Sequence, residues 1–267
     1  MTRLGVGASL VSVFAATLAL AQTTTPTTAP LPPDDPRHSG YRDMGAELRR
    51  MQDDDTANPA MLFVQSGQAL WQQKAGAAGK SCADCHQEVA QSMKGVAARY
   101  PALPPGADQP VDLEGLINLC RTERQKAPAF APESPELLGL AAYVALQSRG
   151  QPIAPPDDPA LAPFRSVGEA IYRDRQGQLN LSCSSCHDDN AGKRLAGAPI
   201  PQGHPTGYPI YRLEWQTLGS LKRRLRNCLV GMRAEGWDWD DPQYVALELY
   251  LMARARGMAM DAPAVRP

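Results

Sequence analysis

Apolar residues recur at helical spacing in two short segments of the chain. In the first segment they fall at i, i+3, i+4 and i+7, at Leu113, Leu116, Ile117 and Cys120. In the second they follow a 3-4-3 spacing, at Leu218, Leu221, Leu225 and Cys228. Each pattern predicts an amphipathic helix, and each places its cysteine on the buried face.

Two further helices are predicted where the apolar tetrapeptide Tyr-Val-Ala-Leu occurs. We predict that one helix begins at Tyr143 and another at Tyr244, the second running toward Arg256 and stopping at Gly257. No series of alternating apolar and polar positions of the kind that forms strands stands out. The hydrophobic pattern therefore predicts a mainly α fold.

The N-terminus has the pattern of an export signal. Arg3 precedes an apolar stretch over 4–20, and Ala19-Leu20-Ala21 provides a small-x-small cleavage site. The alternative is a transmembrane anchor, but the stretch is interrupted by Gly, Ser and Thr and barely reaches spanning length. We expect residues 1–21 to be a signal peptide and the Thr/Pro-rich residues 22–36 to be a tether. The mature protein would be periplasmic, with no stable membrane insertion.

The remaining chain repeats itself with an offset of 101 residues. Three landmarks share this offset: Cys82-Ala83-Asp84-Cys85-His86 with Cys183-Ser184-Ser185-Cys186-His187, Gly67 to Trp71 with Gly168 to Tyr172, and Tyr143 to Leu146 with Tyr244 to Leu247. We therefore predict two tandem domains related by internal duplication, at 37–150 and 164–267. The Pro-rich residues 151–163 between them form an interdomain linker.

Composition narrows the possible functions. The chain has 267 residues, 43% hydrophobic and 21% charged, with a formal net charge of −1. Such a balance is ordinary for a globular protein and predicts no nucleic-acid partner. Only six cysteines and four histidines are available to build a chemical site.

The two Cys-x-x-Cys-His motifs predict covalently bound c-type haem. Two thiols one helical turn apart can add to the vinyl groups of haem, while the following histidine ligates the iron. The alternatives are a thioredoxin-like pair, which lacks a βαβ context, and a zinc site, which needs neighbouring pairs that share one metal. We predict two haems, whose thioether and proximal ligands are Cys82, Cys85 and His86 in the first domain and Cys183, Cys186 and His187 in the second.

The third cysteine of each domain is the candidate distal ligand. Cys120 follows His86 by 34 residues, and Cys228 follows His187 by 41 because the second copy has a longer loop. Ligation by both thiolates is the favoured interpretation. The alternatives are a disulfide between the two cysteines, two inert buried thiols, or ligation by Met232 in place of Cys228. His38 and His204 are expected at the surface or behind the ligands.

Charge distinguishes the two distal cysteines. The segment before Cys120 carries two acidic residues and no base, whereas four basic residues precede Cys228: Lys222, Arg223, Arg224 and Arg226. Arg224 lies at i−4 from Cys228, on the same helical face, and its guanidinium suits a small oxyanion. Arg233, Arg254 and Arg256 could add to this field. The alternative is that these basic residues form a solvated helix face. Because the basic residues surround only Cys228, the second haem is the candidate active site, and the first haem is expected to be structural or to transfer electrons.

Several motifs together resemble the SoxA family, the dihaem cytochrome subunits of the SoxAX complex of bacterial thiosulfate oxidation. They are Ser39-Gly40-Tyr41, Met51 to Asp55, Asn58 to Leu62, both haem motifs, and Arg224 through Cys228. The resemblance implies two cytochrome c-like domains and His/Cys ligation of both haems. It implies two partners, the monohaem cytochrome SoxX and the carrier protein SoxYZ.

The resemblance also implies a reaction. Thiosulfate would be joined oxidatively to the carrier cysteine of SoxY as a cysteine S-thiosulfonate, with electrons leaving through haem to SoxX or another cytochrome c. Such an enzyme is an L-cysteine S-thiosulfotransferase. In this family the distal cysteine of the active haem is found as a persulfide, which corresponds to Cys228, and the substrate-binding arginine corresponds to Arg224.

Two other functions remain compatible with the motifs. A thiosulfate dehydrogenase would couple two thiosulfates to tetrathionate without a carrier protein. A plain dihaem electron carrier would not need the Cys228 sulfur for chemistry.

Overall fold

The computed structural model describes Met1, residues 31–32 and residues 34–267. The predicted signal peptide beyond Met1 falls outside these residues, as do residues 22–30 and 33 of the predicted tether. Within them no helix is long and apolar enough to cross a membrane.

The described chain is mainly helical, as the sequence predicts. Ten α-helices occur: α1 Ala46–Asp53, α2 Ala60–Gln72, α3 Ala83–His86, α4 Val89–Ser92, α5 Leu113–Leu119, α6 Pro135–Leu146, α7 Ala162–Arg173, α8 Cys183–His187, α9 Leu221–Gly231 and α10 Pro242–Arg254. Two 3-10 turns, Ala97–Arg99 and Pro159–Leu161, and one π-helix, Cys120–Gln125, complete the helical elements. Five short strands are present: β1 Arg194–Leu195, β2 Ala198–Pro199, β3 Ile210–Arg212, β4 Thr217–Gly219 and β5 Ala264–Arg266.

Each half is built on one close helix crossing. α2 packs against α6, and α7 packs against α10. A Cβ atom at Gly67 would lie 2.0 Å from the carbonyl oxygen of Gly139, and one at Gly168 would lie 2.0 Å from that of Ala246. Because only glycine permits such an approach of two backbones, the pair of glycines 101 positions apart marks a true structural repeat.

The third landmark of the repeat is wrong. Residues 143–146 end α6 rather than begin a helix, whereas residues 244–247 lie near the start of α10. The structural counterpart of Tyr143 is Tyr250, 107 positions later: their rings lie 6.0 Å from Trp71 and 5.3 Å from Tyr172 respectively. The longer loop of the second copy shifts the register before this helix, so the shared tetrapeptide is a coincidence between two apolar helices.

The second distal helix begins later than predicted. Leu218 lies in β4, and α9 starts at Leu221 because the Ser220 hydroxyl caps it by accepting from the Arg223 amide at 3.1 Å. β3 pairs antiparallel with β4 and parallel with β5, giving the order β4-β3-β5. Two of its strands, β3 and β4, come before α9 in the chain and β5 comes after α10, and the sheet was not predicted.

The two halves interlock through an apolar cluster and through backbone pairing. Buried residues from both halves form the cluster, which contains Ala97, Ala98, Ala145, Ile153, Met252, Ala255, Met258, Met260 and Ala262. Ile153 exchanges backbone hydrogen bonds with Gly257 and Met258. At the other end, Asn58 donates to the carbonyl of Pro263 at 3.3 Å. Many contacts therefore cross the domain boundaries that the sequence predicts.

Candidate functional site

A short loop fixes the imidazole of His187. His187 ends α8, which a capping box between Ser182 and Ser185 starts. Its Nδ1 lies 2.7 Å from the carbonyl oxygen of Pro201, so Nδ1 carries the proton and donates it, which leaves Nε2 as the ring nitrogen available to Cys228 or to a metal. Gly203 packs on the ring, where an added Cβ would lie 3.0 Å from Cγ.

Cys228 faces this histidine from α9. Burial raises the pKa of the Cys228 thiol, but a hydrogen bond with His187 and the charges of Arg224 and Arg212 outweigh burial and lower the pKa below its usual value. Cys228 is therefore the thiol whose surroundings favour the thiolate. This hydrogen bond brings His187 of α8 and Cys228 of α9 together.

Arg224 and Arg212 approach Cys228 from two elements. Arg224 comes from the first turns of α9, and no carboxylate pairs with it among the described residues. Arg212 ends β3, with its side chain 15% exposed and Nη2 at 2.6 Å from an Oε2 of the exposed Glu214. Burial and the charge of Arg224 lower the pKa of Arg212. The positive charges of two guanidinium groups therefore act on one thiol.

An aromatic ring packs against Arg212, and a buried phenol lies near Cys228. The Trp215 ring lies 5.0 Å from the guanidinium carbon of Arg212 and 4.3 Å from that of Arg223, which ties the sheet to α9. Burial, together with the charge of Cys228, raises the pKa of Tyr208 to about 12. Tyr208 therefore stays a neutral phenol at neutral pH.

Sequence reasoning missed both Arg212 and Tyr208. A signal for the tyrosine existed, because Tyr100-Pro101 and Tyr208-Pro209 are 108 positions apart, the same offset as Cys120 and Cys228. Arg212 had no such signal, since it lies in a strand of three residues that no periodicity reveals.

Two alternatives for the distal cysteines find no support. All six cysteines are free, so Cys120 and Cys228 form no disulfide. Met232 is 8% exposed and packs against Leu229 and Tyr244 in an apolar cluster. Its side chain therefore belongs to the core of this half.

The first half presents the same types of donor group with different surroundings. The Trp71 ring lies 5.7 Å from that of His86, and Cys120 is a neighbour of Cys82 and Cys85. Cys120 begins the π-helix that continues α5, an irregularity frequent at functional sites. Burial raises the pKa of the Cys120 thiol despite the charge of Arg124. The charge surroundings that activate a sulfur therefore occur at Cys228 and not at Cys120.

The donor groups in each half fit a c-type haem. Each set offers two thiols for thioether bonds, an imidazole and a further sulfur, and in the second half the imidazole has its Nε2 available. These residues could hold the group, and the bound iron would supply a one-electron acceptor beside the sulfur.

Three other basic residues that the sequence suggests near Cys228 are paired elsewhere or exposed. Arg254 pairs with Asp188 at 2.7 Å, and Arg256 donates to the carbonyl of Pro155 at 2.8 Å. Arg233 is exposed at the end of α9. The anion field at Cys228 thus comes from Arg224 and Arg212.

The two remaining histidines differ in environment. His38 lies 3.1 Å from Asp43. His204 borders a cavity of about 340 Å³ that His187 and Arg254 also line, so it lies behind the predicted proximal ligand. Burial and the charges of Arg254 and Arg37 lower the pKa of His204 to about 4, and the ring is neutral at physiological pH.

Comparisons with known proteins agree with the repeat. The family model of the SoxA/TsdA cytochrome c domain matches residues 66–153 and again residues 167–260. The chain is 37% identical over 235 residues to the L-cysteine S-thiosulfotransferase subunit SoxA of Pseudaminobacter salicylatoxidans, covering 88% of this chain and 82% of that protein. It is 35% identical to the subunit of the same name from Rhodovulum sulfidophilum, over 85% of this chain and 79% of that one.

A solved structure has the same fold. The crystal structure of SoxXA from P. pantotrophus superposes with a TM-score of 0.83 at 33% identity. The superposition covers 86% of this chain and 87% of that one.

Proposed function

The chain belongs to the SoxA family, and from that membership we infer that it is an L-cysteine S-thiosulfotransferase subunit that conjugates thiosulfate oxidatively to a protein cysteine. It is a cytochrome c with covalently bound haem. The observation that carries the assignment of the site is the lowered pKa of the Cys228 thiol, which a hydrogen bond with His187 and the charges of Arg224 and Arg212 cause.

We propose two haems per chain. His86 and Cys120 would ligate the first iron, with thioethers to Cys82 and Cys85, and His187 and Cys228 would ligate the second, with thioethers to Cys183 and Cys186. The available Nε2 of His187 and the lowered pKa of Cys228 support the second set. The grouping of Cys82, Cys85 and Cys120 supports the first.

The reaction joins a carrier thiol to thiosulfate with the loss of two electrons and one proton. A carrier cysteine R–SH and S₂O₃²⁻ give R–S–S–SO₃⁻, H⁺ and 2e⁻, with one sulfur–sulfur bond formed and the S–H bond broken. The bound haem would supply the acceptor for these electrons, and the partner cytochrome would take them onward. The residues of this chain bind the anion and hold the sulfur that reacts.

Arg224 would bind the sulfonate end of thiosulfate, and Arg212 would approach the same anion from β3. Guanidinium groups offer paired donors that match an oxyanion. Bound there, the outer sulfur of thiosulfate would lie near Cys228. The buried phenol of Tyr208 lies in the same neighbourhood and adds no charge to it.

Cys228 would carry a persulfide. Its outer sulfur is nucleophilic and can exchange with another sulfur centre, as thiolates do in disulfide exchange. The neighbouring cations support this role because they stabilise a negative charge on sulfur.

Two partners and a compartment follow from the same proposal. SoxX would be the monohaem partner that accepts electrons, which the fold of the SoxXA complex supports. SoxYZ would present the carrier cysteine. The N-terminal export pattern supports a periplasmic location.

Product analysis tests the function. Incubation with thiosulfate, SoxX and an electron acceptor should modify the carrier cysteine when SoxYZ is present, and should give little product when it is absent. Tetrathionate formed at the same rate without SoxYZ would instead identify a thiosulfate dehydrogenase. Cys228→Ala should abolish carrier modification, whereas an unchanged rate would indicate an electron carrier.

A further inference from the structure

The N-termini of the two distal helices meet at the junction of the halves. Nζ of Lys222, in the first turn of α9, lies 2.6 Å from Oδ2 of Asp112, which is 1% exposed. Asp112 is also the N-cap of α5, because its Oδ1 accepts from the amide of Gly115 at 2.7 Å. A single ion pair thus joins the helix that leads to Cys120 with the helix that leads to Cys228.

Two more carboxyl groups lie at this junction. Glu114 from α5 and Glu248 from α10 line a cavity of about 40 Å³ between the halves, together with Tyr100 and Tyr208. The Oε2 atom of Glu248 is shielded from solvent and has no hydrogen-bond partner among the described residues. Most of the remaining lining is apolar, so an unsatisfied carboxyl oxygen lies beside a small, mainly apolar cavity.

Charge does not balance if every group is ionised. Asp112, Glu114 and Glu248 face one ammonium, that of Lys222. Glu133, at the edge of the group, accepts from the amide of Ser220 at 3.4 Å and lies near Arg223. An unpaired carboxylate is costly in a site shielded from water, and taking up a proton removes that cost.

The direction of the pKa shifts agrees with the geometry. Burial and the charge of Asp112 raise the pKa of Glu114 to about 8, although Lys222 opposes the rise. Burial and the charges of Asp112 and Glu114 raise the pKa of Glu248 well above its usual value. At neutral pH this pair of carboxyl groups holds at least one proton.

We propose that Glu114 and Glu248 form a proton-binding site between the halves, whose loss of a proton places a negative charge between the two iron ligands Cys120 and Cys228. Each cysteine lies six residues beyond the junction, counted from Glu114 and Lys222. On a helix this is about 9 Å along the axis. One protonation event therefore acts on both iron sites, although the donor sets themselves differ.

The consequence for electron transfer follows from linkage. A negative charge at the junction stabilises ferric iron, so the potentials of both haems fall as pH rises through the pKa of the pair. By reciprocity, reduction of the haems raises that pKa and the pair takes up a proton. The conjugation releases one proton and two electrons. A proton taken up by the pair can offset the negative charge that the electrons bring into the protein.

Stability against pH tests the site without any haem chemistry in the readout. Below the unfolded pKa of a glutamate both states are protonated, and as pH rises toward the folded pKa only the unfolded state loses the proton, so the native protein becomes less stable. Glu248→Gln removes this loss. Measured on the mature haem-loaded protein, the Tm gain of Glu248→Gln over native should be near zero at pH 4 and exceed about 3 °C at pH 8.

The exposed Glu47 on α1 provides the matched control. Glu47→Gln should show the same Tm as native protein at both pH values. Glu114→Gln should behave like Glu248→Gln, so it provides the same comparison if Glu248→Gln does not fold. A Tm difference that is equal at pH 4 and pH 8 for Glu248→Gln or Glu114→Gln would overturn the proposal.

Redox titration tests the coupling. In native protein and in Glu47→Gln, the midpoint potentials of both haems should fall between pH 6 and pH 9, and in Glu248→Gln that fall should be smaller for both. An equal fall in native protein and Glu248→Gln would overturn the coupling. The redox measurement rests on the proposed haems. Neither test uses thiosulfate, so a negative result in either test would not contradict the proposed reaction. In the same way, failure of the proposed reaction would not contradict the proton-binding site.

Discussion

At the residue scale, the chemistry of the site depends on like charges held together. Arg224 and Arg212 lie close enough for the charge of one to lower the pKa of the other, and Arg224 has no carboxylate partner among the described residues. Two such cations are stabilised when a dianion lies between them. Thiosulfate supplies two negative charges, so we expect its binding to relieve this repulsion.

Removing the unpaired arginine should weaken the recognition of thiosulfate. A hydrogen bond to a charged group contributes about 1.5–3 kcal/mol, so Arg224→Ala should lower kcat/KM for thiosulfate by about 10-fold to 100-fold. Steady-state kinetics with SoxYZ measures this. Arg42→Ala, at an exposed arginine far along the chain, should leave kcat/KM unchanged. Equal kinetics for Arg224→Ala and Arg42→Ala would contradict the role of Arg224.

Arg212 should act on the same anion. Arg212→Gln should also lower kcat/KM, and the double variant Arg224→Ala/Arg212→Gln should lose less than the two single losses combined, because both side chains bind one ligand. A double-mutant cycle on kcat/KM gives the coupling. Independent, fully additive losses would show that the two guanidinium groups do not share a substrate.

The residue chemistry was partly readable from the sequence. The two haem motifs, both distal cysteines and Arg224 follow from spacing and charge, since a helix repeats its faces every three to four residues. Arg212 and Tyr208 did not follow, because they enter the site from a loop and a three-residue strand whose path depends on the sheet. Side chains brought together by such a path leave no local pattern.

At the element scale, two glycines decide how the main helices cross. Gly67 and Gly168 were found as members of a repeat, but their structural role becomes visible only in the packing of α2 on α6 and of α7 on α10. The apolar tetrapeptide shared by α6 and α10 misled the repeat alignment because any buried helix can carry it. Position in a helix crossing is more informative than sequence identity over four residues.

A methyl group at the crossing should destabilise the second half. Gly168→Ala would place Cβ 2.0 Å from the Ala246 carbonyl oxygen and 2.9 Å from Cβ of Tyr250. Such overpacking costs about 1–3 kcal/mol or more, and we expect Tm to fall by at least about 3 °C in thermal denaturation. The matched control is Gly231→Ala in α9, where no atom lies within 4 Å of an added Cβ, and its Tm should not fall. Similar Tm values for the two variants would contradict the crossing.

At the scale of the whole molecule, the two halves behave as one structure. Three features cross the boundary that the duplication predicts: the linker, the apolar cluster that both halves form, and the hydrogen bond from Asn58 to Pro263. The sequence predicts two copies but not their contact. The ion pair of Lys222 with Asp112 joins residues 110 positions apart and forms only because the N-termini of α5 and α9 meet.

Haem content should divide evenly between the halves. The purified mature chain should carry two haems, and Cys82→Ala/Cys85→Ala should carry one. Quantification of covalent haem by its alkaline pyridine spectrum, with intact mass spectrometry, checks the number. The same variant should keep the second haem, since Cys183, Cys186 and His187 are untouched. One haem in the native chain would contradict the two donor sets.

The most direct test of the account is the fate of thiosulfate at the carrier cysteine. Native protein with SoxX, SoxYZ, thiosulfate and an oxidised cytochrome c should convert the carrier cysteine to an S-thiosulfonate, seen by mass spectrometry as an added S₂O₃ group, with two electrons taken up per cysteine. Cys228→Ala should leave the carrier cysteine unmodified. Full conversion by Cys228→Ala, or an unmodified carrier alongside accumulating tetrathionate, would contradict the account.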